Sequence, residues 1–153
     1  MSAQVNIRTA SKEDMPGILA LYAQPGYDDG EVLPIAEAVA IFEKMATYPF
    51  YRVHVAEQGG RILGTYALLV MDNIGHLGTP SAIVESVAVA PDCQGLGIGK
   101  RMMGHAMAEA AQAGCYKLAL SSNIKRLQAH EFYDKLGFRR HGLSFVVNPE
   151  ASP

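Results

Sequence analysis

Residues 94–100 read Q-G-L-G-I-G-K, three glycines at alternate positions with a lysine directly after the last. Glycine reaches positive φ without strain and lets a backbone approach a ligand closely. A β-rich run, "AIVESVAVAP", precedes the loop, and a helical run, "GIGKRMMGHAMAEAAQA", begins inside it. Strand, glycine loop and helix in that order leave backbone N–H groups unpaired at the positive end of a helix dipole. That is an anion cradle, most often for phosphate. Lys100 and Arg101 would add charge in the first helical turn. The Rossmann pattern G-x-G-x-x-G fails, because its third glycine falls on Lys100 counted from Gly95 and on Met102 counted from Gly97. The Walker pattern fails too: Arg101 follows Gly99 and Lys100, and position 94 is Gln. A tight strand-to-helix turn with no ligand is the alternative, but three glycines cost backbone entropy that a plain turn does not require.

A second candidate lies just upstream. Alternation along "AIVESVAV" puts Ile83, Glu85, Val87 and Val89 on one face, so Glu85 is a carboxylate in an apolar row. Partial burial there is expected to raise its pKa toward useful basicity. The alternative is a carboxylate at a solvated strand end or in a structural salt bridge. Cys93 lies beside the loop, but no His or Asp is tied to it by sequence as a nucleophile's partner would be. None of the histidines forms an HxxxH or HExxH pair and there is no CxxC, so no metal site is expected.

Those residues need elements to hold them. "VNIRTA" alternates and reads as a first strand; Ser11 is an N-cap, with Asp14 at the capping-box position, ahead of a helix in "MPGILALYAQ". Residues 35–47 form a second amphipathic helix, with Ile35, Val39, Phe42 and Met45 or Ala46 on one side. "FYRVHVAEQ" and "RILGTYALLVMD" flank Gly59 and Gly60, a hairpin signal. "NIGHLGTPS" is a loop, 82–90 a strand, 97–113 a helix capped by Gly114, and "YKLALSS" a strand. "LQAHEFYDKLG" is a short helix ended by Gly137, and "FRRHGLSFVV" closes with one or two strands. The order β-α-α-β-β-β-α-β-α-β predicts one α/β (mixed α+β) domain over 1–153, a mixed, mostly antiparallel sheet with helices on both faces. The chain has 153 residues, 49% hydrophobic and 18% charged, enough to bury its own core. A net charge of −2 offers no basic field for nucleic acid or an anionic membrane. No run approaches the roughly 18 apolar residues of a membrane span, and "MSAQVNIRTASKED" lacks a signal-peptide pattern. A cytoplasmic protein with two reduced cysteines is expected.

"Q-G-L-G-I-G-K" resembles the Q/R-x-x-G-x-G/A motif of the GNAT acetyltransferase superfamily. The strand "VESVAVAP" before the loop is similar to the one that family places there. Ala129, Phe132, Tyr133, Gly137 and Phe138 also fall in its A-x-x-F-Y-x-x-x-G-F pattern, about thirty residues further on. The resemblance covers 82–138 closely and, with the N-terminal element order, nearly the whole chain. It implies acetyl-CoA as co-substrate, its pyrophosphate held by backbone N–H groups of Gln94, Gly95, Leu96, Gly97, Ile98, Gly99 and Lys100. It implies that two central strands, 82–90 and 117–122, splay apart, with pantetheine pairing to the backbone of Val87, Ala88 and Val89. Many members carry an acidic residue near Glu85 that deprotonates the acceptor amine, often through water. Tyr133 is implied to place its hydroxyl near the coenzyme sulfur, where a phenol of ordinary pKa about 10 suits donation to a leaving thiolate. Its alternative is an aromatic filling the core beside Phe132. A backbone N–H near Val87 is the candidate oxyanion donor. Arg126 stands where the family commonly has Asn facing the coenzyme; Asn123 and Ser122 are then the candidates for that contact. Arg126 could meet a coenzyme phosphate or an anionic substrate instead. His130, one helical turn from Arg126 and Tyr133, either tunes the tyrosine or is a surface histidine.

The acceptor pocket is implied to lie among "YAQPGYDDGEVLP", "NIGHLGTPS" and "RRHGLSF". Asp28, Asp29 and Glu31 could attract a cationic amine or form a solvated loop; Arg126, Arg139 and Arg140 could hold a phosphate or carboxylate. The "CYKL" arrangement is similar to glucosamine-6-phosphate N-acetyltransferases, and the "R-x-x-A-H-x-F-Y" run to aminoalkylphosphonate and small-amine acetyltransferases. A small-molecule amine is expected over a protein N-terminus or lysine. Two other classes stay open: a non-catalytic acyl-CoA-binding or sensing module, and a nucleotide- or phosphate-binding protein unrelated to acetyl transfer. The family also pairs as dimers through C-terminal strands, and "LSFVV" is apolar enough to be such an edge, so a homodimer is expected.

Overall fold

The computed structural model describes residues 4–151. Its contacts group into two compact units, Met1–Leu120 and Ser121–Pro153. The first unit runs β1 (Asn6–Thr9), α1 (Met15–Tyr22), α2 (Ile35–Met45), β2 (Tyr51–Gln58), β3 (Arg61–Met71), β4 (Ser81–Val89), α3 (Ile98–Gln112) and β5 (Leu118–Ala119). One five-stranded sheet has the order β1-β2-β3-β4-β5, antiparallel throughout except for the parallel β4–β5 pair. The expected mixed α/β architecture is what forms.

Local chemistry explains the joints. Gly59 and Gly60 take φ of 57° and 81°, the two positive values that a two-residue hairpin turn demands, and β2 and β3 pair from Gln58↔Arg61 outward. Ahead of α1, the Ser11 backbone N–H donates to Asp14 Oδ2 at 2.8 Å. Asp14 also receives both terminal nitrogens of Arg8, at 2.7 and 2.9 Å, while Arg8 Nε donates to Glu57. One guanidinium thereby ties β1, the start of α1 and the end of β2 together, and it holds the Asp14 carboxyl below the usual carboxylate range. At the other end of α3, Gly114 has φ 76°, and the Gly114 and Cys115 N–H groups return to Ala111 and Ala110. That is the glycine-terminated helix end expected from the sequence.

Helices cover both faces of the sheet. On one, Met15, Ile18 and Leu19 of α1 and Ala38 of α2 bury Val53, Val55 and Ala67, with Tyr22, Phe42 and Tyr51 packed around them. On the other, α3 buries Met102 and Met103 completely, while Met107 is 49% exposed. Two bulges decide which face a residue shows. In the β2–β3 ladder the register shifts between Ala56 and Glu57. In the β3–β4 ladder Thr65 pairs with Ala88 and Ala67 with Glu85, so Tyr66 alone opposes Ser86 and Val87. The simple alternation read from "AIVESVAV" therefore fails beyond residue 85: Ile83, Glu85 and Ala88 share the α1–α2 face, while Val87 and Val89 turn away from it.

The strand expected over 116–122 shrinks to the two residues of β5. In the second unit, α4 (Leu127–Lys135) ends at Gly137, φ 92°, with the Phe138 N–H bonded to the Tyr133 carbonyl and the Gly137 N–H to Asp134. The closing strand expected in "FRRHGLSFVV" does not form among the described residues. A β-prone run becomes a strand only where another strand supplies its hydrogen bonds. Residues 143–147 have no ladder partner, and Leu143, Phe145, Val146 and Val147 stay largely exposed. No helix among the described residues is long and apolar enough to cross a membrane.

Candidate functional site

The glycine loop opens directly onto α3. Gly95 and Gly97 have φ of 79° and 84°, and Gly97 is the N-cap residue. A Cβ at either would meet nothing within 4 Å, so backbone conformation alone requires glycine there. Among the described residues, the N–H groups of Gln94, Gly95, Gly97, Ile98, Gly99 and Lys100 donate no hydrogen bond; the Leu96 N–H reaches the Cys93 carbonyl at 3.4 Å. Leu96 is 71% exposed and Ile98 is buried, so the loop presents its backbone outward while anchoring the helix inward. This donor set fits an anion with several oxygens. Lys100 is exposed beside it, whereas Arg101 is committed elsewhere, donating to the Val5 carbonyl at 2.9 Å. Cys93 is buried and its thiol donates to Asp92 Oδ1 at 3.8 Å, a carboxylate already paired with both terminal nitrogens of Arg61.

β4 carries the second half of the site. Its pairing with β5 is confined to Ala82↔Leu118 and Ile83↔Ala119, so beyond Ile83 that edge has no strand beside it among the described residues. Ser86 sits in the bulge with φ 54°, a left-handed value rare for a residue with a Cβ. Glu85, immediately before it, is exposed, not partly buried as its apolar row suggested. The bulge puts Ala88 where alternation would have put Val87 in the row. Two side chains not foreseen from sequence touch this strand. The Tyr22 hydroxyl donates to the Ser86 carbonyl at 3.4 Å, and Gln24 Nε2 donates to the Val89 carbonyl at 3.2 Å. Tyr22 stacks on Tyr27 at 4.7 Å, and burial pushes its phenol far above the ordinary value. Only its place at the end of α1 could have hinted at this. Asp29 spends one carboxylate oxygen on the Gly26 N–H at 2.6 Å, so part of the acidic cluster shapes its own loop.

The second unit holds the remaining candidates. Tyr133 packs edge-on against Phe132 and Phe138, with centroids 5.1 and 5.6 Å apart, and burial raises its hydroxyl pKa while Arg126 lowers it. The Tyr133–Phe138 contact is the hydrophobic clasp that accompanies the glycine-ended helix. Asn123 Oδ1 accepts from the Lys125 N–H, and its backbone carbonyl lies 2.8 Å from His130 Nε2, which engages that histidine locally. Arg126 is exposed at the N-cap of α4, Ser122 is half-buried, and Arg140 pairs with Asp134 at 2.8 Å.

A family model described as "Acetyltransferase (GNAT) family" matches residues 15–138. The chain belongs to the GNAT family. It is an acetyltransferase, an enzyme of the acyltransferase class. This acetyltransferase is 34% identical over 90 residues to a glucosamine 6-phosphate N-acetyltransferase of Trypanosoma brucei brucei, a match covering 59% of each chain. Over 140 residues it is 28% identical to the aminoalkylphosphonate N-acetyltransferase of Salmonella typhimurium, covering 92% of this chain and 88% of that one. A solved structure from Agrobacterium tumefaciens strain C58, assigned as an acetyltransferase, superposes with TM-score 0.86 at 30% identity. It covers 94% of this chain and 99% of the other.

Proposed function

We propose that this acetyltransferase moves the acetyl group of acetyl-CoA directly to the primary amine of a small molecule. The observation that carries the reading is the set of unpaired N–H groups of Gln94, Gly95, Gly97, Ile98, Gly99 and Lys100, opening at the start of α3 directly after a strand that has no strand beside it beyond Ile83 among the described residues. Those donors suit a pyrophosphate, and the open edge at Val87, Ala88 and Val89 suits an amide-bearing arm. Acetyl-CoA supplies an activated thioester when bound. The relatives named for glucosamine 6-phosphate and for aminoalkylphosphonate support a small amine as acceptor.

Glu85 accepts the proton of the attacking amine. Its exposed position on the α1–α2 face admits water, which favours a relay through one molecule. The Tyr133 hydroxyl returns a proton to the departing thiolate, a role resting on its place in the F-Y-x-x-x-G-F motif. Ser122, Asn123 and Arg126 are assigned polar contacts with the coenzyme on the same basis. Residues 143–147 give a homodimer its contact surface.

The test begins with melting curves with and without acetyl-CoA, beside ATP and NAD controls. Stabilisation by acetyl-CoA alone is expected, about 2.7 kcal/mol at a hundred times the dissociation constant. No shift at millimolar acetyl-CoA sinks the coenzyme assignment. Glu85→Gln and Tyr133→Phe are each expected to lower kcat by about 10²-fold or more while keeping coenzyme affinity. Undiminished turnover in either removes that residue from the mechanism, and coenzyme binding with no turnover on any amine favours a sensing module.

A further inference from the structure

Two residues of β3 lie against both β4 and α3, the elements that carry the segments assigned to the coenzyme. Gly64 pairs with Val89 of β4, and on its other side it receives α3. A methyl group at Gly64 would lie 2.9 Å from Met102 Sδ, 3.0 Å from Met102 Cε and 3.2 Å from Ile98 Cγ2. Met102 is fully buried, so it has little room to yield. Ile98 is the first residue of α3, whose N-terminus forms the cradle. Glycine at 64 therefore fixes how closely the cradle helix approaches the strand pair that carries the open edge.

Two positions along, Tyr66 stands alone opposite the Ser86–Val87 bulge. It is wholly buried, and its hydroxyl lies 2.7 Å from His105 Nδ1 on α3. Burial raises the phenol's pKa, so the hydroxyl keeps its proton, and the imidazole tautomer decides which of the two atoms donates. The Tyr66 ring stacks on His54 of β2 at 4.8 Å, which fixes the direction of its hydroxyl. Gly64 sets the distance between α3 and β3, and the Tyr66–His105 bond sets the helix's position along and around its axis.

Resting on the coenzyme reading above, we infer that Gly64 and Tyr66 are positioning residues for coenzyme binding: together they seat α3 on β3, so that the Gln94–Lys100 cradle and the Val87–Val89 edge stand at the spacing one coenzyme molecule bridges. Neither residue is assigned a contact with the reacting atoms. Their effect runs through the helix and the bulge, and its signature is coenzyme affinity, not melting temperature alone.

The experiment is titration calorimetry of acetyl-CoA and of free CoA into the full chain, far below the melting point, for wild type, Tyr66→Phe and Gly64→Ala. Tyr66→Phe keeps the ring on His54 and deletes one oxygen. Its coenzyme dissociation constant is expected to rise about three- to tenfold, the net worth of one hydrogen bond. Gly64→Ala is expected to weaken binding in the same direction, and adding Met102→Ala, which removes the clashing atoms, to restore part of it. If Tyr66→Phe does not fold, His105→Leu removes the same bond from the half-exposed side of the helix and carries the same expectation. Affinity within about twofold of wild type in a folded variant lacking the bond, whatever its melting point, overturns the inference. No binding by the wild type overturns the coenzyme reading and the inference together, whereas intact wild-type binding with insensitive variants overturns the inference alone.

Discussion

Ser86 holds a left-handed backbone in mid-strand, and that one conformation turns Glu85 and Ala88 to the same side of the sheet. His54 is a second residue whose setting departs from its type. It is 1% exposed, its Nδ1 has no partner among the described residues, and it lies between Tyr66 and the edge of the His105 ring. Burial, then the neighbouring His105 and Arg52, push its pKa from 6.5 down to about 4. The unfolded chain therefore binds a proton at this histidine between those values while the folded chain does not. Stability must fall as pH drops from 6.5 towards 4. Asp14, held below the usual carboxylate range by Arg8, loses its contribution only in stronger acid. His54→Phe, which keeps an aromatic ring against Tyr66, is expected to flatten the melting temperature across pH 6.5 to 4 relative to wild type. Parallel curves for the two proteins would show that His54 does not carry this dependence.

At the scale of elements, α3 does three things at once. Its start forms the cradle, its middle packs on β3, and its end closes at Gly114. The cradle depends on Gly97 for its φ of 84°, not for space, since nothing lies within 4 Å of where a Cβ would stand. Gly97→Ala is accordingly expected to cost about 1–2 kcal/mol of backbone strain. It should lower the melting temperature by a few degrees and weaken acetyl-CoA binding. A variant as stable and as tight-binding as wild type would mean that the loop adopts another conformation. β4 shows the complementary case, an element whose proposed role depends on pairing it lacks. Its neighbour β5 is two residues long, and beyond Ile83 no strand lies beside it among the described residues.

On the scale of the whole molecule, the apolar run at 143–147 stands out. Leu143, Phe145, Val146 and Val147 are 86%, 88%, 98% and 75% exposed. Exposed β-prone runs of this kind seek partners. With the proposed homodimer, sedimentation is expected to give about twice the mass of one chain, falling to one chain when Phe145 and Val147 are both changed to Lys. A wild-type monomer at micromolar concentration would dismiss the dimer.

Local signals were legible without coordinates. The glycine loop, the Gly59–Gly60 hairpin, the helix ends at Gly114 and Gly137 and the F-Y-x-x-x-G-F clasp follow from φ preferences and spacings that span a few residues. Those signals determined the α/β order and pointed to the cradle. Tertiary structure alone decided the rest, because each remaining feature depends on a neighbour distant in the chain. The bulge after Glu85 exists only as a register between β3 and β4. The shortness of β5 and the missing strand at 143–147 are set by which backbone groups find partners. The Tyr66–His105 bond joins residues 39 apart, and no periodicity in the sequence announces it.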